Sequence, residues 1–156
     1  MSYNVHLVQF ISLNKWEDLG IFVETNAEGG GQLYRVVGSI QRGMEFQTSA
    51  MPRPDRTPCF ESQACMGTIP ARSLHLLEKT CLNVQPPAKQ YELTVRLDPS
   101  RPLRQSRAWV NDVVAKLIAD GIMQKSAEDD APDAEADRPD QSGNGIEKEN
   151  PVEQDK

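Results

Sequence analysis

The sequence holds little of what enzymes most often use. It has two histidines, His6 and His75, and three cysteines, Cys59, Cys65 and Cys81. An odd number of thiols forms no complete disulfide framework, so reduced cysteines in an intracellular, cytoplasmic protein are the simplest reading. Cys59 and Cys65 have five residues between them, and both histidines fall in other elements. That is not zinc-ligand spacing, and no metal is expected. No apolar run approaches the ~18 residues of a membrane span, and the N-terminus has no basic-then-apolar leader. No basic stripe interleaved with aromatics is visible, so neither a membrane nor nucleic acid is expected as a partner. Gly29, Gly30 and Gly31 stand together, but no helix follows to complete a phosphate cradle. A flexible turn is expected there, and no cofactor.

What is present is unevenly distributed. The chain carries a formal charge of −6, while residues 125–156 alone hold 4 Lys/Arg against 11 Asp/Glu. That stretch has no aromatic residue, and Ile146 and Val152 are its only large aliphatics. It buries too little apolar surface to offset its ordering entropy, so an acidic disordered tail is expected over residues 125–156. Such a tail could recruit a basic partner or act as a solubilising spacer. Residues 1–124 are left nearly neutral and long enough for one modest core.

Within that body, residues 3–13 are rich in branched and aromatic side chains and read as a strand. His6, Val8 and Phe10 point one way; Val5, Leu7, Gln9 and Ile11 point the other. Residues 19–25 and 32–38 read as a β-hairpin around the glycine triplet. "GMEFQT" (residues 43–48) continues the meander. "AMPRPDRTP" (residues 50–58) is a loop, because its prolines remove backbone donors. "ACMGTI" (64–69) reads as a short strand and "ARSLHLLEKTCLNV" (71–84) as a helix, stopped by the two prolines that follow. "QYELTVRL" (90–97) alternates and reads as a strand. Residues 102–123 form the closing helix. The order predicts an α+β domain over residues 1–124: a mostly antiparallel, curved sheet with two or three packed helices.

The closing helix carries Trp109, Val110, Val113, Val114, Leu117, Ile118 and Ile122 on one stripe, which must face the core. Ser106 lies one turn before Trp109 and therefore also points inward, at a helix start that favours negative charge. A cysteine there would be activated as a nucleophile. A serine needs a neighbouring base, and otherwise satisfies its hydroxyl locally, near the helix start, as a cap. His6 reads as a strand residue with a local hydrogen bond, and His75 as an exposed helix residue. Cys65 is a candidate nucleophile or a buried structural thiol. Arg53 and Arg56 lie in a solvated loop that could meet an anion.

The phrases "DLGIFVE", "LYRVVGSIQRGMEF", "CLNVQPPAKQYEL" and "SRAWVNDVVAKLIADGI" span most of the body. Together they resemble a family of small fungal proteins of unknown function, which is distantly similar to the papain-like, NlpC-type cysteine peptidase fold. The resemblance implies a reduced papain-like core with a cysteine opening the last helix and histidines on the second and third strands. Here the cysteine position is Ser106, the histidine entering the second strand is Asp18, and that of the third strand is Arg35. Neither a thiolate nor an imidazole stands where papain-like chemistry needs one.

Asp18 and Arg35, on paired strands, are expected to meet near Ser106 and Trp109. They would form either a cavity for a small polar ligand or a salt bridge filling a vacated catalytic slot. Trp16 and Trp109 add apolar faces, with core packing as the plain alternative. The expected function is a catalytically silent protein of that fold, which binds a small molecule or a protein partner through Asp18, Arg35, Ser106 and Trp109. The alternative is a small non-hydrolytic enzyme, an isomerase, cyclase or transferase of a fungal specialised-metabolite pathway, using the Asp18/Arg35 pair as acid and base. A third possibility is an adaptor without a pocket, which predicts an exposed apolar patch.

Overall fold

The structure, a computed structural model, describes residues 1–11 and 18–126. Trp16 and most of the acidic segment, from residue 127, lie outside the described residues. The chain divides into two units between Gln124 and Lys125.

Residues 1–124 form an α+β unit built on a sheet. Its strands are β1 (Ser2–Phe10), β2 (Asp18–Glu24), β3 (Gly31–Ser39), β4 (Gly43–Met51), β5 (Phe60–Pro70) and a short β8 (Gln124–Lys125). The order across the sheet is β4-β3-β2-β1-β5-β8. All pairings among the five long strands are antiparallel. Two helices follow β5: α1 (Leu74–Asn83) and α2 (Ser106–Ala119). Between them a two-stranded hairpin stands apart from the sheet, β6 (Tyr91–Glu92) with β7 (Val95–Arg96).

Alternation along the strands gives the sheet two apolar faces. Val5, Leu19, Ile21, Val23, Tyr34, Val36 and Ile69 join Leu77 and Cys81 of α1 and Trp109, Val110, Val113 and Leu117 of α2 in the larger core. The α2 residues recur at helical spacing, so one stripe of the helix meets the sheet. Burying each such aliphatic side chain contributes about 1.5–3 kcal/mol. Ile118, expected on that stripe, is 38 % exposed, because the contact is narrower than the apolar run.

The second face carries a smaller core of Val8, Phe10, Phe22 and Leu33. Its cover follows from the strand order. β4 and β5 are consecutive in sequence but lie on opposite sides of the β1–β2–β3 block. Met51 and Phe60, at the two ends of the 52–59 connection, both pack on this core, and Pro54 within the connection is buried.

Several elements differ from the sequence expectation. The strands expected at 43–48 and 64–69 extend to Met51 and over Phe60–Pro70, because long-range pairing lengthens what local pattern marks only in part. The strand expected at 90–97 is instead the β6–β7 hairpin. Leu93 at its tip takes φ +57°, a left-handed conformation that reverses the chain without a glycine.

The glycine triplet is the β2–β3 turn. Thr25 N–H and Asn26 N–H donate to the Gly30 carbonyl at 3.0 and 3.2 Å. A Cβ on Gly31 would lie 1.9 Å from the Val23 carbonyl oxygen, which the backbone ladder cannot move aside. Gly31→Ala is therefore expected to destabilise the fold by about 1–3 kcal/mol or more, read by urea denaturation. An unchanged midpoint would contradict this close approach.

Candidate functional site

The sheet separates the four residues expected to share a cavity. Asp18 opens β2 and points to the second face. There its Oδ2 lies 3.6 Å from Arg35 Nη1, and both side chains are about one-third exposed. The Arg35 guanidinium also sits 5.8 Å from the centre of the Phe10 ring. Burial holds the Asp18 carboxyl above the ordinary aspartate range, and the opposing pull of Arg35 is smaller.

The next residue, Leu19, points to the helix-covered face. Its backbone N–H donates to Ser106 Oγ at 3.0 Å. Ser106 is 1 % exposed, so this bond is dry. The hydroxyl bond links two segments 87 residues apart, and the preceding Gln105 makes no side-chain cap. The expected local cap is thus a tertiary bond. Trp109 is fully buried; its Nε1–H donates to the Val84 carbonyl at 3.1 Å and its ring meets Phe46. Asp18 and Arg35 lie on one face of the sheet, and Ser106 and Trp109 lie under the other. The period-two alternation of β2 is the reason they do not line one cavity.

The other candidates are spread out. His6 Nε2 meets Glu24 Oε1 at 3.1 Å, and the ring stacks on Phe22. Its Nδ1 is buried and has no hydrogen-bond partner among the described residues. Cys65 lies opposite His6 in the β1–β5 register, with its thiol directed at the Gly67 carbonyl. His75 is exposed. Arg53 is held by both carboxylate oxygens of Asp55. Cys81 is buried, which together with Glu78 pushes its thiol up to about 12. Among the described residues no group of three His, Cys, Asp or Glu side chains is placed to hold a metal.

A cleft lies elsewhere, in the segment between the helices. It has a volume of about 680 Å³ and is lined by Val84, Pro86, Pro87, Leu97 and Pro102 together with Lys89, Arg96, Arg101 and Arg104. Its frame is made of backbone bonds. Met44 N–H donates to the Pro87 carbonyl at 2.8 Å, and Gln90 N–H to the Ile40 carbonyl at 2.8 Å. The Gln90 amide then clamps Arg104, accepting from its N–H and donating to its carbonyl, both at 2.7 Å.

Acidic partners hold several of the cations: Asp112 meets Arg104, Asp98 meets Arg101 and Glu92 meets Lys89. The Ser100 hydroxyl and amide keep the Asp98 carboxyl below the ordinary range, with Arg101 and Arg96 adding to this. Arg96 donates through Nη2 to the Arg101 carbonyl, while its buried Nε has no hydrogen-bond partner among the described residues. Beside the cleft the hairpin exposes Leu93, Val95 and Leu97, at 85, 66 and 55 %. Such a site has guanidinium forks that match carboxylate or phosphate oxygens, and apolar walls for the rest of a ligand.

Sequence reasoning missed this cleft. In the sequence the double proline signals only a helix stop, and the alternation over 90–97 only a sheet strand. The cluster of arginines at 96, 101 and 104 was the available signal.

A family of unknown function (DUF6540) matches residues 5–124. The chain belongs to that family. Its match spans β1 through α2 and so covers both the Ser106 junction and the cleft. No curated protein and no solved structure matches the chain.

The raised Asp18 carboxyl has a pH signature. The native state holds this proton more tightly than the unfolded chain. Stability from Asp18 is therefore fully present below the unfolded value, 3.8, and is lost as pH rises through the higher native value. Urea denaturation of wild type and Asp18→Asn across the acid range is expected to show wild type losing ground to the variant as pH rises. A difference that moves the other way would mean that Arg35 outweighs burial.

Proposed function

We propose that the protein is a binding protein, silent at the helix-start position, whose working site is the cleft lined by residues 84–104 and Asp112. The ligand class is an anionic group attached to an apolar body, borne by a small molecule or by a segment of a protein partner. One observation carries this reading: a roomy cleft with four cationic side chains and proline and leucine walls, beside a hairpin that leaves Leu93, Val95 and Leu97 in water. Exposed apolar side chains grouped this way are costly unless something covers them. The left-handed Leu93 at the tip is the kind of backbone strain that gathers at binding sites.

The silent helix start is the second part of the proposal. A papain-like ancestry would place a nucleophile at residue 106, against the second strand. The side chain there is a serine whose oxygen already accepts the Leu19 amide. A fungal, cytoplasmic setting and a place in specialised metabolism rest on the sequence resemblance and the unpaired thiols.

A second reading keeps Asp18 and Arg35 as the acid–base pair of a small isomerase, cyclase or transferase. The raised Asp18 carboxyl supports it. It is the weaker reading, because the pair lies away from the cleft. Neither lines the large cleft or the shallower ones at Glu24–Arg53 and at Arg42–Lys89.

The test is titration with anilinonaphthalene sulfonate, whose sulfonate and fused rings match the proposed ligand class. Wild type is expected to bind saturably. Leu97→Ser and Arg96→Gln are each expected to weaken binding about tenfold, equivalent to ~1.4 kcal/mol. Ser106→Ala and Arg35→Gln are expected to leave it unchanged. Absent saturation, or loss only in the Arg35 variant, would move the site away from this cleft.

A further inference from the structure

Among the described residues, β4 is an end strand of the sheet, paired with a strand on its β3 side only. In β3–β4 pairing Ser39 faces Gly43, Val37 faces Glu45, Arg35 faces Gln47, and the ladder runs on to Gly31 and Met51 without a register shift. Met44 N–H points the other way, to the Pro87 carbonyl. Antiparallel strands alternate in the direction of their backbone groups, so Phe46, Thr48 and Ala50 also direct their N–H and C=O groups outward. Among the described residues the bond at Met44 is the only backbone bond on that edge. Residues 47–50 are exposed.

Natural edge strands are usually blunted by lysine, proline or a bulge. The stretch Gly43–Met51 has no lysine, arginine or proline, and Glu45 is its one charge. The opposite side of the sheet is treated differently: β5 carries register shifts and β8 lies outside it. The bare edge of β4 is thus a feature of one side only.

We propose that β4 is a homodimer interface, pairing antiparallel with β4 of a second copy about a two-fold axis at Thr48. In that register Phe46 lies opposite Ala50 of the partner subunit, and Thr48 opposite its own counterpart. Each of the three exchanges an N–H and a C=O with the residue it faces. Glu45 falls opposite Met51 of the partner subunit, so no like charges meet. Both ends of the ladder stop for a reason already in the chain. Met44 faces Pro52 of the partner subunit; proline has no N–H to give, and the Met44 N–H is taken by Pro87. A two-fold at Thr48 therefore pairs the outward groups of Phe46, Thr48 and Ala50 and ends the ladder before Met44. The result is one continuous sheet through two protomers, with the cleft-bearing segments at the ends of the shared strand pair.

The test is sedimentation velocity on the full chain, from about 1 to 100 μM. Wild type is expected to move from monomer to dimer. Thr48→Pro is expected to stay monomeric with an unchanged circular dichroism spectrum, because the lost N–H faces away from β3 and edge proline is tolerated there. Thr48→Val is expected to dimerise like wild type. A wild type that stays monomeric throughout, or a folded Thr48→Pro that still dimerises, overturns the proposal. Should Thr48→Pro not fold, amide exchange in wild type decides. Roughly tenfold slower exchange at Phe46, Thr48 and Ala50 at the high concentration supports the interface, and equal exchange at both concentrations overturns it.

Discussion

A buried hydrogen bond from the Leu19 amide to the Ser106 hydroxyl joins the last helix to the sheet, alongside the packing of Trp109, Val110, Val113 and Leu117 on the sheet residues of the larger core. Residue 106 stands at the first turn of α2, where orphan amides favour a negative or accepting group. Its oxygen is committed to a strand amide 3.0 Å away, inside a dry junction. The facing of β2 follows from the burial of Leu19, Ile21 and Val23 against the α2 stripe. With Leu19 turned toward α2, Asp18 must turn to the opposite face, and it takes Arg35 with it. The space beside the start of α2 is packed by Trp109, Phe46 and the aliphatic side chains of β2 and β3.

The remaining architecture follows from a sheet with two apolar faces and only two helices to cover them. Both helices serve the larger core. The smaller one is capped by the ends of the connection between β4 and β5, with Pro54 buried in it. The chain between the helices is therefore free of core duty over much of its length. It is pinned to the β3–β4 end of the sheet through Met44 and Ile40, braced by the Gln90–Arg104 clamp, and left with cations and prolines around open space. Binding sites commonly occupy such irregular segments held by a rigid frame.

Much of the fold was legible in the sequence. The facing of β1, the β2–β3 hairpin with its glycine turn, both helices and the inward stripe of α2 follow from periodicity and turn chemistry. Three features escaped it for physical reasons. The 90–97 segment alternates with period two, and a tiny hairpin shares that pattern with a sheet strand. Its turn is made by Leu93, a residue type that gives no turn signal. The pairing of Asp18 with Arg35 was legible from neighbouring strands, but the face they share was not. That depends on which side of β2 the helix covers, a long-range fact carried by the packing of α2 on Leu19, Ile21 and Val23. The cleft was hidden because it has no motif: its arginines are scattered through a loop and gathered only by tertiary bonds.

The most direct measurement is amide hydrogen exchange at Leu19, compared between wild type and Ser106→Ala. If the serine is a structural acceptor, removing it leaves a buried N–H unpaired at a cost of about 1–3 kcal/mol. Exchange at Leu19 should then accelerate by roughly one to two powers of ten, clearly more than at the neighbouring Ile21. Unchanged protection at Leu19 would contradict the account, because the Ser106 hydroxyl would then not be what shields that amide.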